Sequence, residues 1–88
     1  MSNIKYILNE QVTSERYDDG GMFTLPGAEN IVCLGKYEYE ILDIILKYNL
    51  GDALRILLDT YEGDAIENNV IEFCEKLCEL GIIKAQET

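Results

Sequence analysis

The chain has 88 residues, 48% of them hydrophobic, with 17 acidic and 7 basic side chains and a net charge of −10. That size supports one domain with one modest core and leaves little room for an enclosed active site. The acidic excess argues against nucleic acid and anionic membrane as partners, because both are gripped by clustered Lys and Arg. It fits a basic protein or peptide partner, or plain solubility.

The charge is unevenly placed. Residues 1–36 hold five acids and three bases, and residues 37–88 hold twelve acids and four bases. Met1–Glu10 shows no basic start followed by an apolar run, so no signal peptide is expected. No apolar stretch approaches the roughly 20 residues that span a bilayer. The expected compartment is the cytoplasm. Three cysteines, an odd number, do not suit a disulfide framework.

The first third reads as β. Thr13–Asp18 forms a first strand, and Asp18-Asp19-Gly20-Gly21 is a turn signal. Met22–Leu25 follows as a second strand, closed by Pro26-Gly27. Asn30–Leu34 is apolar and β-branched and reads as a third. The earlier Tyr6-Ile7-Leu8 patch either pairs at an edge or packs beneath helices.

Three helices follow. Tyr37, Ile41, Ile44, Ile45 and Tyr48 recur at helical spacing. The second helix opens near Asn49, with Asp52 placed for a capping arrangement, and runs to Tyr61 before Gly63. Asp64 is the expected cap of the third, with Glu67 at its third position. That helix reaches Leu80, Gly81 ends it, and Ile82-Ile83 returns onto the core. The expected fold is α+β: a three-stranded antiparallel meander, then three helices, on the winged helix-turn-helix plan.

Little here carries chemistry. Acid–base and nucleophilic catalysis need a positioned base and a nucleophile. There is no histidine, and the only serines are Ser2 and Ser14. Cys74 and Cys78 share a helix face, yet a zinc site wants four ligands and only Cys33 remains. The three thiols read as small hydrophobes. No serine sits in the helix-opening motif of an acyl carrier protein. Gly20-Gly21 lacks the later Gly-Lys-Ser/Thr of a phosphate loop. No enzyme activity and no cofactor are expected.

The third helix is the most informative element. Ile66, Val70, Phe73, Leu77 and Leu80 form a narrow stripe. Ile71, Cys74 and Cys78 widen it on one side to an arc of about 180°, against about 100° for an ordinary surface helix. Either a sheet covers this extra flank, or the flank floors a groove. The third strand ends the meander, so its outer edge is either open to an incoming strand or covered by Tyr6–Leu8 or a dimer partner.

Taken in order, these segments resemble the PqqD-like domains, the precursor recognition elements of ribosomally synthesised and post-translationally modified peptides (RiPPs). The matching stretches are Gly20–Leu25, Ile31–Leu34, Ile41–Leu46, Ala53–Tyr61, Asn69–Leu77 and Gly81–Ile83, within about Val12 to Lys84. Leu34 is followed by Gly35 where the family often has Asn, and Asn69 stands where Asp is common.

The resemblance implies a non-catalytic protein that binds a precursor's leader segment by strand addition. It further implies a partner enzyme, often of the radical-SAM class, to which the leader is presented. The residues expected to carry binding are Asn30, Ile31, Val32, Cys33 and Leu34 on the strand, with Ile71, Cys74 and Cys78 on the helix. Glu67 and Glu75 are placed at the rim to select a basic leader residue. Two rivals stand beside this reading: a winged-helix DNA-binding regulator, and a self-associating subunit that forms a homodimer through the same edge.

Overall fold

The computed structural model describes residues 4–25, 31–61, 63 and 65–87. Five strands and three helices follow one another. They are β1 (Ile4–Leu8), β2 (Thr13–Tyr17), β3 (Gly20–Thr24), β4 (Val32–Gly35), α1 (Lys36–Lys47), α2 (Leu50–Thr60), α3 (Ile66–Glu79) and β5 (Ile83–Glu87).

The strands form two sheets. One is the expected antiparallel meander, β2-β3-β4. Its first turn is tighter than the sequence suggests: Tyr17 pairs with Gly20 across Asp18-Asp19 alone, so both glycines belong to β3. Its third strand starts at Val32, two residues later than expected, and takes in Gly35. Asn30 lies outside the described residues.

The second sheet is an addition to the expected order. Tyr6-Ile7-Leu8 pairs neither with the meander nor with a helix alone. It belongs to β1, which runs antiparallel to β5, with Ile4 opposite Glu87 and Leu8 opposite Ile83. The C-terminal strand was not apparent because Lys84-Ala85-Gln86-Glu87 carries no apolar alternation. The small β1–β5 sheet packs against all three helices, while the meander packs on α1.

Local chemistry fixes the helix ends. The Glu38 carboxylate accepts from the Gly35 N–H at 3.1 Å and starts α1. The Asn49 side chain accepts from the Asp52 N–H at 2.8 Å and starts α2, as its sequence predicts. Asp64 lies outside the described residues, and the residue that opens α3 is Ala65, without a side-chain cap. At the other end of α3, the Gly81 N–H donates to Cys78 and the Ile82 N–H to Leu77, both at 3.0 Å. This is a Schellman motif, and Gly81 takes the left-handed position it requires, with φ 79°.

Two polar side chains tie β1 to the helices. Lys5 donates to the Leu46 carbonyl, with Tyr48 at 3.5 Å, and so closes the C-terminal end of α1. Asn9 donates through its side chain to the Gly81 carbonyl at 2.8 Å, and through its backbone to Ile82.

The core draws on every layer: Tyr6, Phe23 and Leu34 from strands, Leu42, Ile45, Leu57 and Leu77 from helices, and Ile82 and Ile83 behind α3. Each fully buried Leu or Ile contributes about 1.5–3 kcal/mol through removal from water. No described side-chain polar atom is buried without a partner.

Candidate functional site

β4 is an edge. It hydrogen-bonds to β3 on one side, and among the described residues no strand lies on the other. Leu34 points inward and is buried, Cys33 points out beside its partner Met22, and Val32 faces the core opposite Phe23. Ile31, just before the strand, is 56% exposed. From Ile31 to Gly35 there is no charged side chain, whereas the opposite edge, β2, carries Glu15 and Arg16. Edge strands that must not pair usually carry such charges. β4 lacks that protection.

Between α1, α2 and α3, at the end of α1 that follows β4, a groove of about 710 Å³ opens. Leu57 of α2 and Val70 of α3, both buried, line its depth, with the half-buried Ile41 of α1 beside them. Tyr37, Tyr61, Ile66 and Phe73 line it further out, and Glu38 and Asn69 supply its polar groups. Glu38 is also the residue that holds the Gly35 N–H, so the end of β4 and the groove share a wall.

The two tyrosines meet edge to face, with centroids 6.5 Å apart. Tyr37 is 68% exposed. The Tyr61 hydroxyl donates to the Glu40 carboxylate at 3.1 Å. Partial burial and this carboxylate push the Tyr61 phenol above its ordinary range.

The predicted site residues divide between two places. Ile31, Val32, Cys33 and Leu34 lie on or beside the open edge, and Glu67 stands exposed on the first turn of α3, next to Ile66. Ile71, Cys74, Glu75 and Cys78 turn the other way. Cys74 is completely buried and Cys78 packs half-buried against the core, while Ile71 is half-buried and Glu75 exposed.

That flank faces Tyr6 of β1. Burial pushes the Tyr6 phenol up to about 12, and Cys74, Cys78 and Glu75 add to the shift. Burial likewise pushes the Cys74 thiol up to about 12, with Cys78 and Glu75 contributing. Cys78 is raised by burial and then by Glu75. The extra apolar flank of α3 is therefore not the floor of a groove, because the unforeseen β1–β5 sheet lies over it.

The open side of α3 is the opposite flank, with Ile66, Asn69 and Phe73. The sequence assigned Ile66 and Phe73 to the core stripe and gave Asn69 no role. The available signal was a tyrosine at each of two helix ends, Tyr37 at the start of α1 and Tyr61 just after α2.

The three cysteines are free, with Cys33 exposed on β4 and Cys74 buried in α3. Among the described residues, no group of three or more His, Cys, Asp or Glu gathers as a metal site. No helix among them is long and apolar enough to cross a membrane. α3, the helix that would enter a DNA groove, carries one base, Lys76, against four glutamates.

No family model matches the sequence, and comparison with curated proteins finds no relative. Among solved structures, the chain is similar to TbiB1 in complex with the TbiA(beta) leader peptide. The TM-score is 0.77 and the identity 14%, over 89% of this chain and 94% of that one. The likeness establishes a shared α+β fold, the meander followed by three helices.

Proposed function

We propose that this chain is a non-catalytic peptide-binding protein of the PqqD-like kind. It takes the leader segment of a RiPP precursor as an added strand along β4 and presents it to a modifying enzyme, in the cytoplasm. The observation that carries this reading is the charge-free open edge at Ile31–Gly35 beside an apolar groove. Backbone hydrogen bonds to the edge give affinity, and side-chain pockets next to it give selectivity. The similar fold of TbiB1, solved with a leader peptide, supports the same role. The binding residues are Ile31 to Leu34, with Ile66, Glu67, Asn69 and Phe73 as the helix wall. Asn30, which the sequence also assigns to the strand side, lies outside the described residues. Holding the leader raises the local concentration of its core segment at the enzyme, a radical-SAM protein in the family pattern.

The test is an NMR titration of the labelled protein with the leader peptide encoded beside its gene. Shifts confined to Ile31–Gly35 and to the Ile66–Phe73 side of α3 are the expected result. Ile31→Glu and Ile66→Lys weaken binding at least about tenfold, the cost of placing a charge against an apolar contact. Unchanged binding by both folded variants sinks the groove assignment. A stable dimer in sedimentation that protects β4 would instead identify the edge as a self-association surface.

A further inference from the structure

The groove has a chemical polarity that the strand edge lacks. Its depth is aliphatic: the buried Leu57 and Val70, with the half-buried Ile41 beside them. Its mouth combines aromatic rings with carboxylates. Tyr37 and Tyr61 meet edge to face there, Glu38 lines the wall, and Glu40 holds the Tyr61 hydroxyl. Glu67 stands on the adjoining first turn of α3. Among the described residues, no Lys or Arg lines the groove. The nearest base along the chain, Lys36, lies with Arg16 and Tyr17 in a separate cleft that also includes Glu40. The one ion pair among the described residues, Arg16 with Asp43 at 3.2 Å, involves no residue that lines the groove.

We propose, resting on the peptide-binding reading above, that this groove selects a strand bearing a bulky apolar side chain beside an arginine or lysine. The apolar side chain fills the aliphatic depth. The cationic side chain lies across the mouth, its stem on Phe73 and Ile66 and its head among the tyrosines and carboxylates. A cation is attracted to an aromatic ring within about 6 Å of its centroid. Long basic side chains cover apolar surface with their methylenes while the charge stays wet. The helix N-termini here carry partial positive charge, which Glu38 and Glu67 offset. A net charge of −10 steers cationic peptides toward the protein and acidic ones away.

The experiment is a selection of random linear peptides on the immobilised full chain, followed by calorimetry on the enriched sequences. The expected outcome is a shared pattern of one large apolar residue beside Arg or Lys. Glu38→Gln and Glu40→Gln keep a hydrogen-bond acceptor for Gly35 and Tyr61, so the fold is retained. Each should weaken a selected peptide about threefold, as a partly screened ion pair would. Replacing the peptide's basic residue by Gln should erase that difference in a double-mutant cycle.

Enriched peptides that shift Ile31–Leu34 but show no basic preference, or ignore both variants, overturn this inference and leave the peptide-binding reading standing. Failure to enrich any peptide that shifts Ile31–Leu34 overturns both.

Discussion

The ring of Tyr39 lies directly on the backbone of Gly21, where a Cβ would stand 2.1 Å from the ring. The same ring stacks on Phe23 with centroids 5.6 Å apart, and the Arg16 guanidinium sits 4.8 Å from its centroid. This stack joins β2 and β3 of the meander to α1. Gly21→Ala should therefore cost about 1–3 kcal/mol, the usual range for overpacking. Urea unfolding measures it. Adding Tyr39→Ala to Gly21→Ala should cost less than the two separate losses combined, and full additivity would show that the contact is unimportant.

Two adjacent leucines on α2 provide an internal control. Leu57 is fully buried and lines the groove, while Leu58 is 49% exposed. Leu57→Ala is expected to lose about 2–5 kcal/mol. Leu58→Ala should stay within about 0.5 kcal/mol of the parent. Comparable losses would mean that the helix is rotated from its described position.

Thiol accessibility reports which flank of α3 is covered. Cys33 is exposed, Cys78 half-buried and Cys74 buried. Alkylation of the folded protein, followed by mass spectrometry, should modify Cys33 first and Cys78 more slowly. Cys74 should react only after unfolding, since a thiol whose pKa is pushed to about 12 yields little thiolate. Rapid modification of Cys74 would remove the β1–β5 sheet from over α3.

Stability should fall at alkaline pH. Tyr6 rises from its ordinary 10.0 to about 12 in the folded chain, and Cys74 from 9.0 to about 12. Both are neutral below those ordinary values, so their contribution is complete below about pH 9. Above it, the unfolded chain loses protons that the folded chain keeps, and stability declines until pH passes about 12. Denaturation midpoints followed from pH 8 upward check the slope. Tyr6→Phe combined with Cys74→Ala should make it shallower, the raised Cys78 and Tyr61 leaving a residual slope.

Much of the fold was legible because local chemistry and the global plan agree. Asn49 and Asp52 marked the start of α2, Gly81 marked the end of α3, and Ile82-Ile83 announced a return to the core. The meander followed from its turn residues. The second sheet was not legible, since β5 gains its strand state from pairing with β1, a contact 75 or more residues away in sequence. That one omission moved the site. Without β5, the Ile71–Cys74–Cys78 flank could be either covered by a sheet or the floor of a groove, and the site residues were placed on the second reading. With β5 in place, the α3 residues that line the groove include the half-buried Ile66 and Phe73, which periodicity alone assigns to the interior. The strand side, Ile31 to Leu34, needed only its position at the end of the meander.

The pairing of Ile4 with Glu87 also gives the molecule a mechanical grain. The two strands that close the fold start and finish side by side, so a force that draws residues 4 and 87 apart loads their hydrogen bonds one after another. A zipper opened from its end resists far less than one sheared along its length. A protein-translocating motor that engaged either strand would peel β1 from β5 first, uncovering Tyr6 and Ile83 while the meander and its edge were still folded.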